Sequence, residues 1–512
     1  MERVYLTTPL YYVNAEPHLG HTYTTVIVDT LSRYHRNAGR ETFFLTGTDE
    51  HGDKIAQAAK ENGTDPKAYA DRISQLFRST WDQCGITYSH FIRTTDAYHV
   101  EFVQKVLRDI YDKGDIYFGE YGGFYCYGCE RFYTEKELVD GQCPDHQKAP
   151  DYISEKNYFF RMGKYQDQLI DAIHSRPDFI RPERYRAEVL AFLREPLEDL
   201  CISRPKTRLQ WGIPLPFDGN YVTYVWFDAL LNYVSALDHR GEDIFQAFWP
   251  RANHFIAKDI LKPHGIYWPT MLMAAGLPLY ERLNVHGYWI MDSGKMSKSL
   301  GNVIRPLEMK ERFGMDAFRY FLLREMAFGQ DAKFSEDALV TRINADLANN
   351  LGNLVSRVLA MQQKYFAGVV QALSASWPAE DCALRDKFAQ AEGELNGFIA
   401  ELQFHRALEA IWSALDHANR YIVQTAPFTM IKEPAKQSRV GEILHHLLEV
   451  VRTLARLLAP FMPDTANELR ALLALPDDKT ALHAPWGQGF QPGHQIDGPK
   501  VLFPRIETDA KK

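Results

Sequence analysis

The chain has no run of apolar residues long enough to cross a bilayer and no low-complexity tract, which excludes a membrane span and a repetitive chain. Its opening, MERVYLTTPLYYVN, lacks the basic segment and apolar stretch of a secretory signal, and it is not an Arg-rich, acid-poor transit peptide. A cytosolic protein is expected. Cysteine is scarce, six in 512 residues; in a reducing compartment that argues against a disulfide framework and makes any clustering a sign of metal. An excess of positive charge is also missing. The formal net charge of -8 disfavours indiscriminate nucleic-acid binding, while leaving room for local basic patches. What is present, 46% hydrophobic, 13% aromatic and 24% charged, is the composition of an ordinary globular protein, long enough for roughly three domains.

The segment RVYLTTPLYY is β-branched and aromatic and reads as a buried strand ending at a turn over residues 14–17. From Tyr23 the apolar residues Val26, Ile27, Leu31 and Tyr34 recur at helical spacing, with Gly39 as the stop. ETFFLTGTDEHG is a second apolar strand running into a polar turn. Strand, helix, strand is the unit of a doubly wound parallel sheet, in which ligands collect beyond the carboxyl ends of the strands. His18 and His21 then fall between the first strand and its helix, and Asp49, Glu50 and His51 at the end of the next strand.

Residues 116–224 turn Gly-, Tyr-, Cys- and Pro-rich, as an insertion would, and the sheet is expected to resume at YVTYVWFDALLNYV and NHFIAKDILKPHGIYW. From about residue 336 the composition is helical. One helix starting near Asp346 puts Leu347, Leu351, Leu354, Val358 and Met361 on one face and Asn349, Asn353 and Arg357 on the other. A second, FHRALEAIWSALDHANRYIVQTAPF, stops before Pro427, as the residue preceding a proline should. GPKVLFPRIETDAKK reads as a short strand-like stretch and a charged tail. The fold class expected is α/β: a Rossmann-type doubly wound parallel sheet with an inserted connective domain, followed by an all-α bundle.

In the insert, CYGCERFYTEKELVDGQCPDH sets Cys126 and Cys129, then after thirteen residues Cys143 and His146. Two ligand pairs, each separated by two residues, match a closed tetrahedral zinc knuckle. Three sulfurs and an imidazole leave no open coordination position, so one structural zinc is expected, not a water-activating one. Cys84, Cys201 and Cys382 stand alone and read as core packing. The pair His18 and His21 lacks the third ligand a zinc site needs. With Gly20 between them, at a helix start whose N–H groups attract anions, they read either as a phosphate site or as a local turn feature. GYWIMDSGKMSKSLGNV places Lys295 and Lys298 among Ser297 and Ser299 in a glycine-flanked loop, suited to clasp a polyphosphate or to lie as a solvated basic turn. Residues 291–324 carry seven Lys or Arg against four Asp or Glu, which fits a nucleic-acid stem or a solvated helix face equally well.

HLGH at the end of a first strand together with KMSKS resembles the paired ATP-binding signatures of class I aminoacyl-tRNA synthetases. The similarity runs on through TGTDEHG, YVWFDALLNYV, KDILKPHGIYWP and LGNLVSRV, so that the whole chain resembles the methionyl-tRNA synthetase family, in its bacterial subtype with one three-cysteine, one-histidine knuckle and no appended C-terminal tRNA-binding domain. The family implies activation of L-methionine by ATP, with Mg²⁺, and transfer to methionine tRNA, initiator and elongator; the cysteinyl and isoleucyl enzymes fit worse, for their zinc placement and larger editing insert. The resemblance assigns His18, Gly20, His21, Lys295 and Lys298 to the ATP phosphates. It assigns Leu10, Tyr12, Trp226, Ala229 and Leu230 to the methionine pocket, together with Tyr233, His264 and Trp268, the hydroxyl of Tyr233 and the ring of His264 donating weakly to the sulfur. Asp49 is assigned to the ammonium, and Arg204 and Asp259 to further polar positions. Asn349, Asn353, Arg357 and Phe428 match the anticodon-reading positions, Phe428 standing where many relatives carry tryptophan. The implied domains are a catalytic domain in two halves, 1–115 and 225–288, around the knuckle-bearing insert 116–224, then a KMSKS and stem-contact region 289–345, an anticodon-binding bundle 346–480 and a tail 481–512. A monomer without a membrane partner is expected.

Overall fold

The structure, a computed structural model, describes residues 2–128, 131–133, 135–144, 147–291, 303–476 and 479–507. The chain divides into two compact units, Met1–Tyr288 and Trp289–Lys512.

In the first unit the initial extended segment is split. β1 (Arg3–Thr7) and β2 (Tyr11–Tyr12) both run parallel to β3 (Glu41–Asp49), and the break falls around Pro9, which has no N–H to donate to a ladder. β4 (His90–Arg93) lies on the far side of β3. Gly47 allows that pairing: a Cβ there would sit 1.9 Å from the Ile92 carbonyl oxygen. An antiparallel sheet follows from β5 (Ile116–Cys126), β6 (Arg131–Tyr133), β7 (Asp151–Phe160) and, after the short β8 (Ile180–Arg181), β9 (Leu200–Cys201), in the order β6-β5-β7-β9. β10 (Ser203–Pro205) and β11 (Tyr221–Thr223) form a separate ribbon. β12 (Ala252–Ala257) and β13 (Arg282–His286) return to the first sheet, whose seven strands run β2-β3-β1-β12-β13-β8 with β4 beside β3, every pair parallel. Strand order reverses between β1 and β12, which is where a doubly wound sheet opens its ligand crevice.

One expectation is corrected. The main sheet does not resume at YVTYVWFDALLNYV: only Tyr221–Thr223 is extended, in the ribbon, and Val225–Leu230 and Asn232–Asp238 are helical. An apolar run that does not alternate suits a buried helix as well as a buried strand, and every residue from 225 to 237 except Trp226 is buried.

In the second unit β14 (Trp289–Met291) pairs with β15 (Ala332–Phe334), and the other regular elements among its described residues are helical. The helix read from Asp346 starts earlier. Ser335 accepts from the Ala338 N–H and opens Glu336–Arg342, which runs through a widened π-type stretch, Ile343–Gly352, into Asn353–Phe366. Leu347, Leu351, Leu354 and Val358 are buried while Asn349, Asn353 and Arg357 are exposed. Phe404–Thr425 stops before Pro427, at Ala426 with φ +44°. The strand-like reading of the tail fails: residues 498–507 contain no strand. No helix among the described residues is long and apolar enough to cross a membrane.

Candidate active site

The helix Leu19–Asn37 begins at the carboxyl end of the β1–β2 segment, and its histidines build its cap. His18 is the N-cap; its Nδ1 accepts from the Gly20 N–H at 3.1 Å, and His21 Nδ1 accepts from the His18 N–H at 3.4 Å. The rings stack at 3.7 Å. A Cβ on Gly20 would come within 3.1 Å of the His18 ring, so glycine lets that ring fold back onto the cap. With both Nδ1 atoms accepting, each neutral imidazole carries its proton on Nε2. Burial and the neighbouring His18 hold the His21 pKa well below the usual histidine range. The cap therefore offers neutral N–H donors at the positive end of a helix dipole. His286, at the end of β13, braces the same helix: its Nδ1–H donates to the Gly287 carbonyl and its Nε2 accepts from the Thr24 hydroxyl, both at 2.7 Å.

The residues assigned to methionine fall into one region in part. Trp226, His264, Tyr233 and Trp268 form a chain of ring contacts with centroids 5.8–6.0 Å apart, and Leu10 and Leu230 share the core around Tyr233. Tyr12 closes onto β3 by donating to the His51 carbonyl at 3.0 Å. Asp49 is buried at the end of β3, and Ala229 is buried in the short helix Val225–Leu230. The expected donation to sulfur is corrected in this state. His264 Nδ1–H is committed to the Ile260 carbonyl at 2.9 Å, so its Nε2 accepts the Tyr233 hydroxyl proton at 2.8 Å, and both protons are in use. Beneath them lies His254, which the sequence reading missed; its Nε2 accepts from the Trp268 indole and its Nδ1–H donates to Thr7 Oγ1. Asp259 is exposed just past the end of β12.

Two further groups complete the crevice. Arg204 is buried between the rings of Tyr125 and Tyr224, 5.2 and 4.9 Å from its guanidinium carbon. Burial opposes its charge, but Tyr125, Cys201 and Tyr224 outweigh that and hold its pKa above the ordinary arginine value. Tyr125 belongs to the insert strand β5; its hydroxyl donates to Asp53 at 2.9 Å, and the Arg208 guanidinium carbon lies over its ring, 4.1 Å from the centroid. The second group starts from His51, whose Nδ1–H donates to Asp228 at 2.6 Å; His99 Nε2–H donates to the other oxygen of Asp228 at 2.8 Å, and Ser235 Oγ lies 2.8 Å from His99 Nδ1. Burial works against ionisation of Asp228, but His51 and His99 prevail and keep its pKa below the ordinary carboxylate value. A lone aspartate inside the apolar run WFDAL was the available signal, because a buried charge has to be paired. Its partners, 177 and 129 residues away, were not readable.

Lys295, Lys298, Cys129 and His146 lie outside the described residues. Cys126 and Cys143 are buried together with Tyr133 in a small cluster of their own. Cys126 pairs with Arg131 across the β5–β6 hairpin, and Cys143 opens a turn closed by its bonds to Gln147 and Lys148. Of the isolated cysteines only Cys84 is fully buried. In the basic stretch, Arg319 is buried and donates to the Phe461 and Pro460 carbonyls, so it cannot face a tRNA stem; Arg305 and Arg312 pair with Glu308 and Glu336.

The buried imidazoles also set acid stability. Burial pushes His264 and His286 down to about 4, and burial with the neighbouring His264 holds His254 well below the usual histidine range. Because the unfolded chain binds these protons first, stability is full above about pH 6.5 and is lost as pH falls toward 4, by about 1.4 kcal/mol per pH unit for each histidine. Thermal melts from pH 7.5 to 4.5 are expected to show a steadily falling Tm below 6.5; a flat Tm contradicts the buried, neutral assignment.

A parallel sheet with its crevice at the β1–β12 reversal, entered by a histidine-capped helix, is the arrangement of a class I tRNA synthetase, and the family profile described as tRNA synthetases class I (M) matches residues 4–152 and 145–359. Residues 373–512 match the anticodon binding domain of methionyl tRNA ligase. The methionine–tRNA ligase of Caldanaerobacter subterraneus subsp. tengcongensis is 44% identical over 99% of this chain and 79% of its own length, and that of Deinococcus radiodurans 45% over 99% and 75%. The structure of Mycobacterium tuberculosis methionyl-tRNA synthetase in complex with methionyl-adenylate superposes with a TM-score of 0.93 at 40% identity, covering 99% of this chain and 100% of that one. The chain belongs to the methionyl-tRNA synthetase family.

Proposed function

We propose that the enzyme joins L-methionine to ATP as methionyl-adenylate, releasing pyrophosphate, and then transfers methionine to the 3′ end of methionine tRNA. The observation that carries the reading is the His18–His21 cap, two Nε2–H donors at a helix start, with Asp49 buried at the end of the neighbouring strand β3. In the first step the methionine carboxylate attacks the α-phosphorus, and no proton has to move. The protein's work is positioning and charge stabilisation: His18, Gly20, His21, Lys295 and Lys298 on the phosphates, Asp49 on the ammonium. Magnesium arrives with ATP, held through its phosphates. Arg204, a buried guanidinium gripped by aromatic faces, is suited to the anionic end of the substrate, and Asp259, exposed just past the end of β12, is a further polar position. With the protons of Tyr233 and His264 engaged, selection of methionine rests on the shape of the pocket formed by Leu10, Tyr12, Trp226, Ala229, Leu230 and Trp268, and on ring edges facing sulfur. Asn349, Asn353, Arg357 and Phe428 read the anticodon. In this reading the enzyme works in the cytosol as a monomer. Aminoacylation with purified tRNAs tests it: methionine is expected to be loaded on initiator and elongator methionine tRNA, and loading on a tRNA with another anticodon counts against it.

The knuckle residues fit a zinc ion in their chemistry: the two described thiols are gathered in one buried cluster, at the mouths of two tight turns. Cys126, Cys129, Cys143 and His146 would hold one zinc, which supplies folding stability to the insert. Tyr125, beside Cys126, carries that stability to Arg204. Purified protein is expected to contain one zinc per chain, and Cys143→Ser to expose the insert to limited proteolysis; metal-free protein with a protease-resistant insert contradicts the site.

A further inference from the structure

Of the two steps, only the second has a proton to remove. The attacking carboxylate is already ionised when the adenylate forms, whereas a ribose hydroxyl must lose its proton as it attacks the acyl carbon. A base at the crevice therefore has work in transfer alone.

The histidines around the crevice can be sorted by what each ring nitrogen does. His18 and His21 accept at Nδ1 and carry their protons on Nε2, which makes them donors. His254, His264 and His286 each have Nε2 occupied as an acceptor from Trp268, Tyr233 and Thr24. His99 has both nitrogens engaged, with Asp228 and Ser235. His51 differs. A carboxylate holds its Nδ1–H at 2.6 Å, and its Nε2 lone pair takes part in no hydrogen bond among the described residues. Asp228 is fixed in turn by His99, and the His51 ring packs against Trp211 with centroids 5.2 Å apart. A nucleophile's base, oriented by a carboxylate that is itself oriented, is the logic of acyl-transfer triads.

The position fits as well. His51 follows Asp49 by two residues, a span of at most about 7 Å of extended chain. The ammonium assigned to Asp49 and the acyl carbon share one substrate carbon and lie about 2.5 Å apart. Tyr12, from the methionine pocket, donates to the His51 carbonyl and ties the residue to that pocket.

We propose that His51 is the general base of the transfer step and that Asp228 is its positioning residue. His51 Nε2 takes the proton from the ribose hydroxyl of the terminal tRNA nucleotide as that oxygen bonds to the acyl carbon. The bond between acyl carbon and phosphate oxygen breaks, AMP leaves with its electron pair, and the imidazolium, paired with Asp228, returns its proton to solvent. The inference rests on the proposed activity, and the experiment separates the two: methionine-dependent pyrophosphate exchange reports the first step, and single-turnover transfer from adenylate preformed on the enzyme reports the second. For His51→Gln, transfer is expected to fall by ~10²–10⁴-fold, the range of a lost general base, and exchange by at least about tenfold less. Asp228→Asn, which favours the wrong tautomer of His51, should slow the same step, and added imidazole should restore transfer to His51→Ala. Should Asp228→Asn fail to fold, His51→Gln and the imidazole rescue decide. Equal losses in both steps, or transfer at the parental rate, overturn the assignment; a parental chain without methionine-dependent exchange overturns the proposed activity itself.

Discussion

Replacing His21 by alanine is expected to slow methionine-dependent pyrophosphate exchange by ~10²–10³-fold, the cost of one preorganised donor to a developing anion, with a much smaller change in methionine affinity. The reason lies in the cap. His21 Nδ1 accepts the His18 N–H, so the ring's one proton is on Nε2, and with its pKa well below the usual range the ring stays a neutral donor across the working pH range. Alanine removes the donor and one half of the cap together, and a lost cap costs about 1 kcal/mol of stability. His21→Asn separates these effects, since its carbonyl oxygen can accept near the Nδ1 position while nothing reaches the Nε2 position. Stability should recover and rate should not. Parental exchange in His21→Ala would falsify the phosphate role of the cap.

Phe428→Ala is expected to weaken aminoacylation of methionine tRNA by about 5- to 150-fold, since a base stacked on an aromatic ring is worth ~1–3 kcal/mol, while leaving pyrophosphate exchange intact. Phe428 is not a buried plug after the helix stop: it is 46% exposed at the head of the short helix Pro427–Met430, with Val423 exposed before the turn at Ala426. A ring of that exposure contributes little to the core, so the alanine variant should melt within a few degrees of the parent. Phe428→Trp, with a larger flat face, should be tolerated. Equal losses in both assays, or a large fall in Tm, would place the ring in the fold and not on the anticodon.

What could be read from the sequence was local. The strand–helix–strand opening, the helix stop before Pro427 and the exposed row Asn349, Asn353 and Arg357 each follow from spacing within a few turns, and the structure has them. The run at residues 225–237 was misread because burial on all sides erases the alternation that separates strand from helix. The widened stretch at Ile343–Gly352 has no signature in residue type. In the crevice, residue identities were legible and their hydrogen-bond partners were not. Tyr233 and His264 were read as donors to sulfur, but the Ile260 carbonyl takes the Nδ1 proton of His264 and leaves its Nε2 to accept from Tyr233, so neither proton is left over. The link from His51 through Asp228 to His99 joins three segments that only the folded sheet and its helices bring together.

Pyrophosphate exchange measured with each of the twenty amino acids in turn tests the central claim most directly. Exchange is expected with methionine and to stay near background with the other nineteen, including leucine; exchange driven by a different amino acid, or by none, contradicts the account.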